Sequence, residues 1–507
     1  MIPRLWLALH MPQLSIEAFR PNWLADIGTV VLDKNRVVAM SAFAQAAGVQ
    51  LGMRSGSVQM LLPDAQIKQR DSEHESAALR TVALALLQYS PQVVVAEQAS
   101  ILINIGASLR LFGGVRCLCR HVMKTMAVLG VGATLGCATT ARGAWLFAHA
   151  VVATSRSNKV CLSQKKLSHH LDTLPASLLP AAEPWLGWLQ GIGCHHLGAL
   201  RQLPRAGLQR RCGKALLHSM DCAYGEAAEL YQWLEAPPEF NARAELPDRI
   251  EHAEAIFNFA RILLLQLCGW LNNKQLAITK FQLQLEHERG RQAIAPTLLE
   301  INLAQGTWRE EHLSRLLKER LAQLKLDAPV ILLRLHAMQV EAMQAPSASL
   351  FPEPGGNKEE QHRLLELLVA RLGADNVLQA VPQTDHRPEV ANAWISVMSD
   401  VAQKRKVLAH STLRQSIERP VDRPAWLLAQ AIPLVVRQHR PCYGSALKLM
   451  SPAERIEAGW WSGQLVTRDY FVAENAEHVR CWIYRERINQ ANQNDTDASW
   501  YLHGLFG

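Results

Sequence analysis

At 507 residues the chain is too long for one hydrophobic core, so three or four units of ordinary domain size are expected. Apolar residues make up 49% of it and charged residues 19%, a balance that fits a globular protein and excludes wholesale disorder. The net charge of +8 is a mild bias toward polyanions; it favours nucleic acid as a partner without separating DNA from RNA or from an acidic protein.

No apolar run reaches the roughly 20 residues that span a bilayer. The longest, 126–138, is interrupted by Gly130, Gly132 and Thr134. The first five residues lead straight into a strand-like stretch with no small-residue cleavage site, so no signal peptide is expected and a cytoplasmic location is. Ten cysteines include no CxxC pair: Cys117 and Cys119 are two apart, and Cys194-His195-His196 stands alone. Structural zinc needs two spaced ligand pairs, so reduced, buried thiols are expected, with no metal and no cofactor.

In chain order, 5–9 reads as a buried strand and 14–19 as a helix, followed by a hairpin of 30–32 and 37–40. A helix over 76–88, a strand over 101–105, a helix running from Leu111-Phe112-Gly113-Gly114 toward 129, a strand over 134–138 and a helix over 140–150 complete an alternating α/β layer. From 167 to 234 short helices are punctuated by Pro175, Pro180, Pro184, Gly191, Gly193, Pro204 and Gly213, and Pro237-Pro238 marks a boundary. An amphipathic helix carrying Ile256, Phe259, Leu263, Leu267 and Trp270 then leads into an alternating strand with Phe281, Leu283 and Leu285. A Pro/Ser/Ala/Gly-rich linker covers 344–356. Beyond it lie a helix over 362–372 and strands over 465–473, 479–487 and 500–506, read as a small antiparallel sheet. The fold class expected is a multidomain mixture of α/β and α+β.

This order of elements resembles the Y-family DNA polymerases (DinB/UmuC-like) over residues 1–340. It is closest to a catalytically inactive branch found in bacterial mutagenesis cassettes, whose tail strings resemble Glu457-Ala458-Gly459-Trp460-Trp461 and 500–506 here. The resemblance implies a palm over 1–165 with fingers inserted at about 28–80, a helical thumb over 166–238 and a β-α-β little finger over 239–343. A linker over 344–360 and a partner-binding C-terminal region over 361–507 would follow.

Active members begin with V-D-x-D-x-F-[FY]-A-x-V-E. Placing the last Glu on Glu17 puts Ala8 and His10 at the Asp positions and Gln13 at the sugar-discriminating aromatic. The second motif, S-x-D-E-A-[FY]-L-D-[VI], falls on 97–105, where Ala99 and Ser100 fill the Asp-Glu pair and Asn104 the later Asp. Two-metal nucleotidyl transfer needs carboxylates to bridge a pair of hard divalent cations, and alanine offers no ligand. Glu97, two residues from Ala99, is the one candidate for compensation, on the expectation that both lie on the same strand face. The triphosphate contacts are missing too: Ala42 and Gln45 stand for Tyr and Arg of Y-E-A-R-K-F-G-V, and Ala141 for the first Lys of G-[IV]-A-x-N-K-x-x-A-K. Turn and core strings survive at Gly48-Val49, 62–65 and 111–114.

Candidate DNA contacts are a hairpin-like Leu189-Gln190-Gly191-Ile192-Gly193 and the thumb cations Arg201, Arg205, Arg210, Arg211 and Lys214. The competing reading is that Gly191 and Gly193 only end a helix and the cations form a solvated face. Lys274, Lys280 and Arg289 are weaker candidates in the little finger. Ser347-Ala348-Ser349-Leu350-Phe351 resembles the bacterial clamp-binding string Q-L-[SD]-L-F, in which Leu and Phe enter an apolar pocket. The alternative is a linker docked on its own domain. Trp460, Trp461, Trp500, Tyr501 and Phe506 are either interface hot spots or, as expected for most of them, a small core.

By resemblance, the chain is expected to be a non-catalytic adaptor of error-prone translesion synthesis in the SOS response. Its partners would be DNA, the β sliding clamp, a RecA-like partner (ImuA) and the α subunit of an error-prone C-family polymerase. The competing readings are a diverged but active Y-family polymerase and a plain DNA-binding protein.

Overall fold

The computed structural model describes residues 4–154, 159–288, 294–343, 358–397, 423–463, 465–487 and 499–506. The chain divides into two compact units, Met1–Arg363 and Leu364–Gly507.

In the first unit, β1 (Trp6–His10) is followed by the short α1 (Leu14–Glu17). A small three-stranded sheet comes next: β2 (Thr29–Asp33), β3 (Arg36–Met40), α2 (Ala42–Ala46), α3 (Ser55–Leu61) and β4 (Gln66–Gln69), in strand order β3-β2-β4. Its core is Val30, Leu32 and Val37 of the expected hairpin, packed with Ala44 of α2, Val58 of α3 and Val49 between them. The chain then returns to the main layer through α4 (Ser72–Leu86), β5 (Val93–Ala96), β6 (Ser100–Asn104), α5 (Val115–Leu129), β7 (Thr134–Ala138), α6 (Ala141–Thr154) and β8 (Lys159–Val160). Strand order is β5-β6-β1-β7-β8, antiparallel except for the parallel pairing of β7 with β8.

A central strand covered on both faces reads as a continuous apolar run, and β1 is one. Leu5, Leu7 and Leu9 pack with α4 and α5, while Trp6 and Ala8 face α6 and the following helices. Helix α6 lies close on this second face, because a Cβ on Gly136 would come 2.2 Å from the Ala144 carbonyl oxygen.

The thumb-like layer comprises α7 (Gln164–Asp172), α8 (Leu186–Gly191), α9 (Leu197–Gln202) and α10 (Arg205–Tyr224), which breaks at Gly213 (φ 80°, ψ 176°). The little-finger-like layer follows: β9 (Asn241–Ile250), α11 (Ala253–Lys274), β10 (Leu276–His287), β11 (Thr297–Thr307), α12 (Glu310–Ala322) and β12 (Val330–Ala342), in strand order β11-β10-β12-β9. Helix α11 corrects the expectation about apolar length, since its 22 residues are long and apolar enough to cross a membrane by length and composition. Here it is a core helix: Leu263, Leu264, Leu267 and Leu271 are fully buried. At Gly269 the helix meets α4, and a Cβ there would sit 1.9 Å from the Leu84 carbonyl oxygen.

In the second unit the C-terminal part of α13 (Lys358–Leu372) precedes a pair of strands, β13 (Leu378–Pro382) and β14 (Asn392–Ser396). A larger antiparallel sheet follows: β15 (Trp426–Arg437), β16 (Arg440–Tyr443), β17 (Ser445–Ala446), β18 (Lys448–Leu449), β19 (Glu454–Ala458), β20 (Val466–Glu474), β21 (Arg480–Glu486) and β22 (Trp500–Leu505). The three expected strands are β20, β21 and β22, so the sheet is larger than the sequence suggested. Tyr470, Trp482 and Tyr484 are buried in its core, with Tyr501 stacked on Tyr484 at 5.1 Å and Phe506 packed alongside. Trp460 and Trp461 correct the core expectation: they are 71% and 54% exposed on a short 3-10 turn. All ten cysteines are free thiols, seven of them buried.

Candidate functional site

The strand register brings the degenerate motif positions together. Ala8 pairs across to Leu102 and Gly136, and His10 to Ser100 and Thr134, so Ala8, His10 and Ser100 share one face of the sheet. Ala99 lies in the tight turn joining β5 to β6, where Gln98 and Ala99 hold φ of 52° and 48°. Glu97 is in that turn as well. The expectation that it shares a strand face with Ala99 is therefore corrected, because strand alternation stops at Ala96.

A stack of side chains from α6 lies against these positions. Arg142, Trp145 and His149 recur at i, i+3 and i+7, which places them along one face of the helix. Their rings follow one another: the Arg142 guanidinium lies 5.2 Å from the Trp145 ring, Trp145 stacks on His149 at 3.6 Å, and His149 stacks on His10 at 3.9 Å. His149 donates from Nδ1 to the Trp145 carbonyl oxygen at 2.9 Å, leaving a buried Nε2 with no hydrogen-bond partner. Burial, and then the neighbouring His10, push the His149 pKa down to about 4, and burial lowers that of His10. At neutral pH both imidazoles are uncharged.

These residues do not fit a pair of divalent cations. Ala8 is fully buried and offers no ligand, and the Ser100 hydroxyl is spent on the Gln98 carbonyl oxygen at 3.0 Å. The Glu97 carboxylate is held by the Arg142 guanidinium at 2.5 Å, so a fixed cation already meets it. Among the described residues no three His, Cys, Asp or Glu side chains converge in a metal-binding group.

The remaining motif positions lie apart or carry structural roles. Ala42 and Gln45 are exposed on α2, and Gln13 is exposed at the start of α1. Glu17 accepts the Gly132 N–H at 2.9 Å and the Asn22 side-chain N–H at 3.1 Å; burial raises its pKa against both bonds. Ala141 is buried in the first turn of α6. Its N–H and that of Arg142 are taken by the two oxygens of Glu229, at 2.9 and 2.8 Å. Tyr231 donates to the same carboxylate at 2.9 Å, and burial raises the pKa of Glu229. Trp233 stacks on Trp6 at 5.9 Å, and the Leu234 N–H reaches the Val93 carbonyl oxygen at 2.8 Å. The segment after the thumb is thereby strapped across the palm-like sheet. Sequence reasoning missed Glu229, because nothing near it in the chain signals a helix 88 residues away.

On the thumb, Gly191 ends α8 and Gly193 (φ 73°) makes the turn toward α9, with its N–H already given to the Gln190 carbonyl oxygen at 3.0 Å. The cations divide into two groups. Arg201 pairs with Glu226 at 2.8 Å, and Arg205 binds Asp221 through both terminal nitrogens. Arg211 lies 4.8 Å over the Trp188 ring, joining α8 to α10, and Arg210, Arg211 and Lys214 are exposed around the Gly213 break. On the little-finger-like sheet, Lys280 pairs with Glu300 at 2.8 Å and Arg334 with Glu286 at 2.5 Å, so that face is largely self-neutralised. Lys274 closes α11 in its last turn. Arg289 and the string Ser347, Ala348, Ser349, Leu350 and Phe351 lie outside the described residues.

With this geometry in view, residues 13–149 match the model of the impB/mucB/samB (IMS) family. Residues 13–149 thus carry a Y-family polymerase-like segment, within a mixed α/β multidomain fold that ends in a C-terminal antiparallel sheet. Over 480 residues it is 25% identical to Protein ImuB of Caulobacter vibrioides, in strains NA1000 / CB15N and ATCC 19089 / CIP 103742 / CB 15, covering 91% of this chain and all of that protein. It resembles ImuB along nearly its whole length. Among solved structures it is similar to a Dbh ternary complex (TM-score 0.37, 15% identity, 65% of this chain and 98% of that one). A Y-family DNA polymerase chimera of Dbh and Dpo4 is another (TM-score 0.36, 14% identity, 67% and 99%).

Proposed function

We propose that this protein is a non-catalytic, DNA-associated adaptor of DNA damage tolerance, built on a polymerase fold whose reaction centre has been refilled. The observation that carries this reading is the Arg142–Trp145–His149–His10 stack. Where nucleotidyl transfer requires an acidic pocket for two cations, this chain supplies a fixed guanidinium, an indole and two neutral imidazoles. The similarity to ImuB over 91% of the chain supports the same reading.

In the finer version of the proposal, exposed thumb cations hold the DNA backbone without reading sequence. Ser347-Ala348-Ser349-Leu350-Phe351 engages the β sliding clamp, and the C-terminal unit meets ImuA and an error-prone C-family polymerase that performs the synthesis. The place of action is the cytoplasm. Exposed Trp460 and Trp461 in the second unit favour a partner-binding role there, since large exposed aromatics are costly unless something covers them.

Primer extension tests the central claim. Purified protein, with magnesium or manganese and all four nucleotides, is expected to incorporate nothing. Template-dependent incorporation would sink the adaptor reading and restore the diverged polymerase. The triple variant Ala8→Asp, Ala99→Asp, Ser100→Glu is also expected to stay inactive, because α6 fills the face on which those carboxylates would gather.

A further inference from the structure

The palm-like sheet ends at β8, a strand of two residues. Cys161, just beyond it, donates its N–H to the Cys137 carbonyl oxygen at 2.8 Å, so the backbone groups of the alternate residues Val160 and Leu162 point away from β7. Both side chains are exposed, at 49% and 57%. Such an edge is a ready template for another strand, and proteins normally blunt it with charge, proline or a covering element. Here β8 is short and Lys159 is its one charge, but Val160 and Leu162 carry neither charge nor proline and stay exposed.

Beside this edge lies a cavity of about 500 Å³. Its far wall is one stripe of α5: Val115, Cys119 and Met123 recur every fourth residue and are only half-buried. Leu135 of β7 is buried beneath it. Arg116 and Arg120, one turn apart, stand exposed on the rim, and neither has an ion-pair partner among the described residues.

From this combination we propose that the β8 edge and the α5 groove form a docking site for an extended segment of another protein. The segment is acidic and adds to β8 as a further strand. Its alternate apolar side chains enter the groove against Val115, Cys119 and Met123, and its carboxylates meet Arg116 and Arg120. Charge selects this occupant over a second copy of the chain: with a net charge of +8, a second copy approaching a cationic rim is repelled. The site stands on the opposite face of the sheet from the refilled centre, and the proposal does not depend on the adaptor reading.

The test is a selection of 12-residue peptides displayed on phage, panned on the full chain after depletion on the Arg116→Glu/Arg120→Glu variant. The expected result is enrichment of peptides with two alternating apolar residues flanked by Asp or Glu. A synthetic copy of the leading peptide should bind the depletion variant at least tenfold more weakly. Val160→Pro, which removes an outward N–H, should weaken it similarly while circular dichroism and melting stay unchanged. No enrichment, peptides without acidic residues, or equal binding by the double variant would each overturn the proposal. So would a dimer in sedimentation that Val160→Pro dissociates, which gives the edge to a second copy. Loss of duplex DNA binding by the double variant with peptide binding intact would make the rim a nucleic-acid contact instead.

Discussion

Glu229 accepts the backbone N–H of Arg142 at 2.8 Å, and through it a segment beyond the thumb caps a helix of the palm-like layer. Thr140 completes the cap by accepting the Gly143 N–H at 3.1 Å, so three of the four N–H groups that a helix start leaves open are satisfied. Replacing a capping acceptor by alanine costs about 1 kcal/mol, more where the site is buried. Glu229→Ala is therefore expected to lower the urea midpoint by the equivalent of about 1–2 kcal/mol. Glu229→Gln, which keeps an acceptor, should lose less than half of that. Equal losses would show that packing of the strap matters and its cap does not.

Acid should loosen the stack. The folded-state pKa of His149 is pushed down to about 4 from an ordinary 6.5, so the stability tied to its neutral form is complete above pH 6.5 and is lost as pH falls through 4. At about 1.4 kcal/mol per unit, the loss is on the order of 3 kcal/mol. His149→Phe keeps the stacking and removes the titration, so its stability should fall less between pH 7 and pH 4, as read by urea unfolding. Part of the fall should remain, because burial lowers the pKa of His10 in the same direction.

Gly269 is where α11 meets α4, and the Leu84 carbonyl oxygen leaves no room for a Cβ. Gly269→Ala should destabilise the first unit by about 3 kcal/mol, the upper range for overpacking. Gly56→Ala, with open space around it in α3, is the control and should be neutral or slightly stabilising. Thermal melts of the two variants side by side decide the point.

The thumb cations should differ in their effect on DNA. Losing a phosphate contact lowers the slope of log K against log salt by about 0.9. Arg210→Ala, Arg211→Ala and Lys214→Ala combined are expected to weaken duplex binding and flatten that slope. Arg201→Ala and Arg205→Ala should do less, since Glu226 and Asp221 already hold those side chains. The same slope for both sets, measured by fluorescence anisotropy across salt, would remove the thumb from the DNA reading.

Leu350→Ala with Phe351→Ala should reduce retention on the β clamp and leave DNA binding intact. Equal retention by the double variant and the original chain would remove this string from the adaptor proposal.

Much of the palm-like layer was legible because its strands carry their signal locally. The strand expected over 134–138 is β7, and the hairpin of 30–32 with 37–40 is β2 and β3 to within a residue or two. The missing carboxylates were legible too, since motif spacing is a property of the chain. What fills the space they left was not. Trp145 and His149 look in sequence like any helix stripe, and their contact with His10 is made across well over a hundred residues. The turn at Gln98 and Ala99 moved Glu97 off the strand where its spacing had put it. In the second unit β15 escaped notice because its apolar residues follow no period of two and Pro433 interrupts them; most of its residues remain exposed.

The full burial of Ala8 also bears on how this chain can change. A single step back toward an acidic pocket, Ala8→Asp, would place a carboxyl at a fully buried position with no second ligand or ion beside it, at a cost of a few kcal/mol. The same holds for Ser100→Glu, since Ser100 is also fully buried, whereas Ala99 lies half-buried in a turn. At its two buried positions the refilled centre thus works as a ratchet: a carboxylate restored at Ala8 or Ser100 alone leaves the protein less stable than the one it started from.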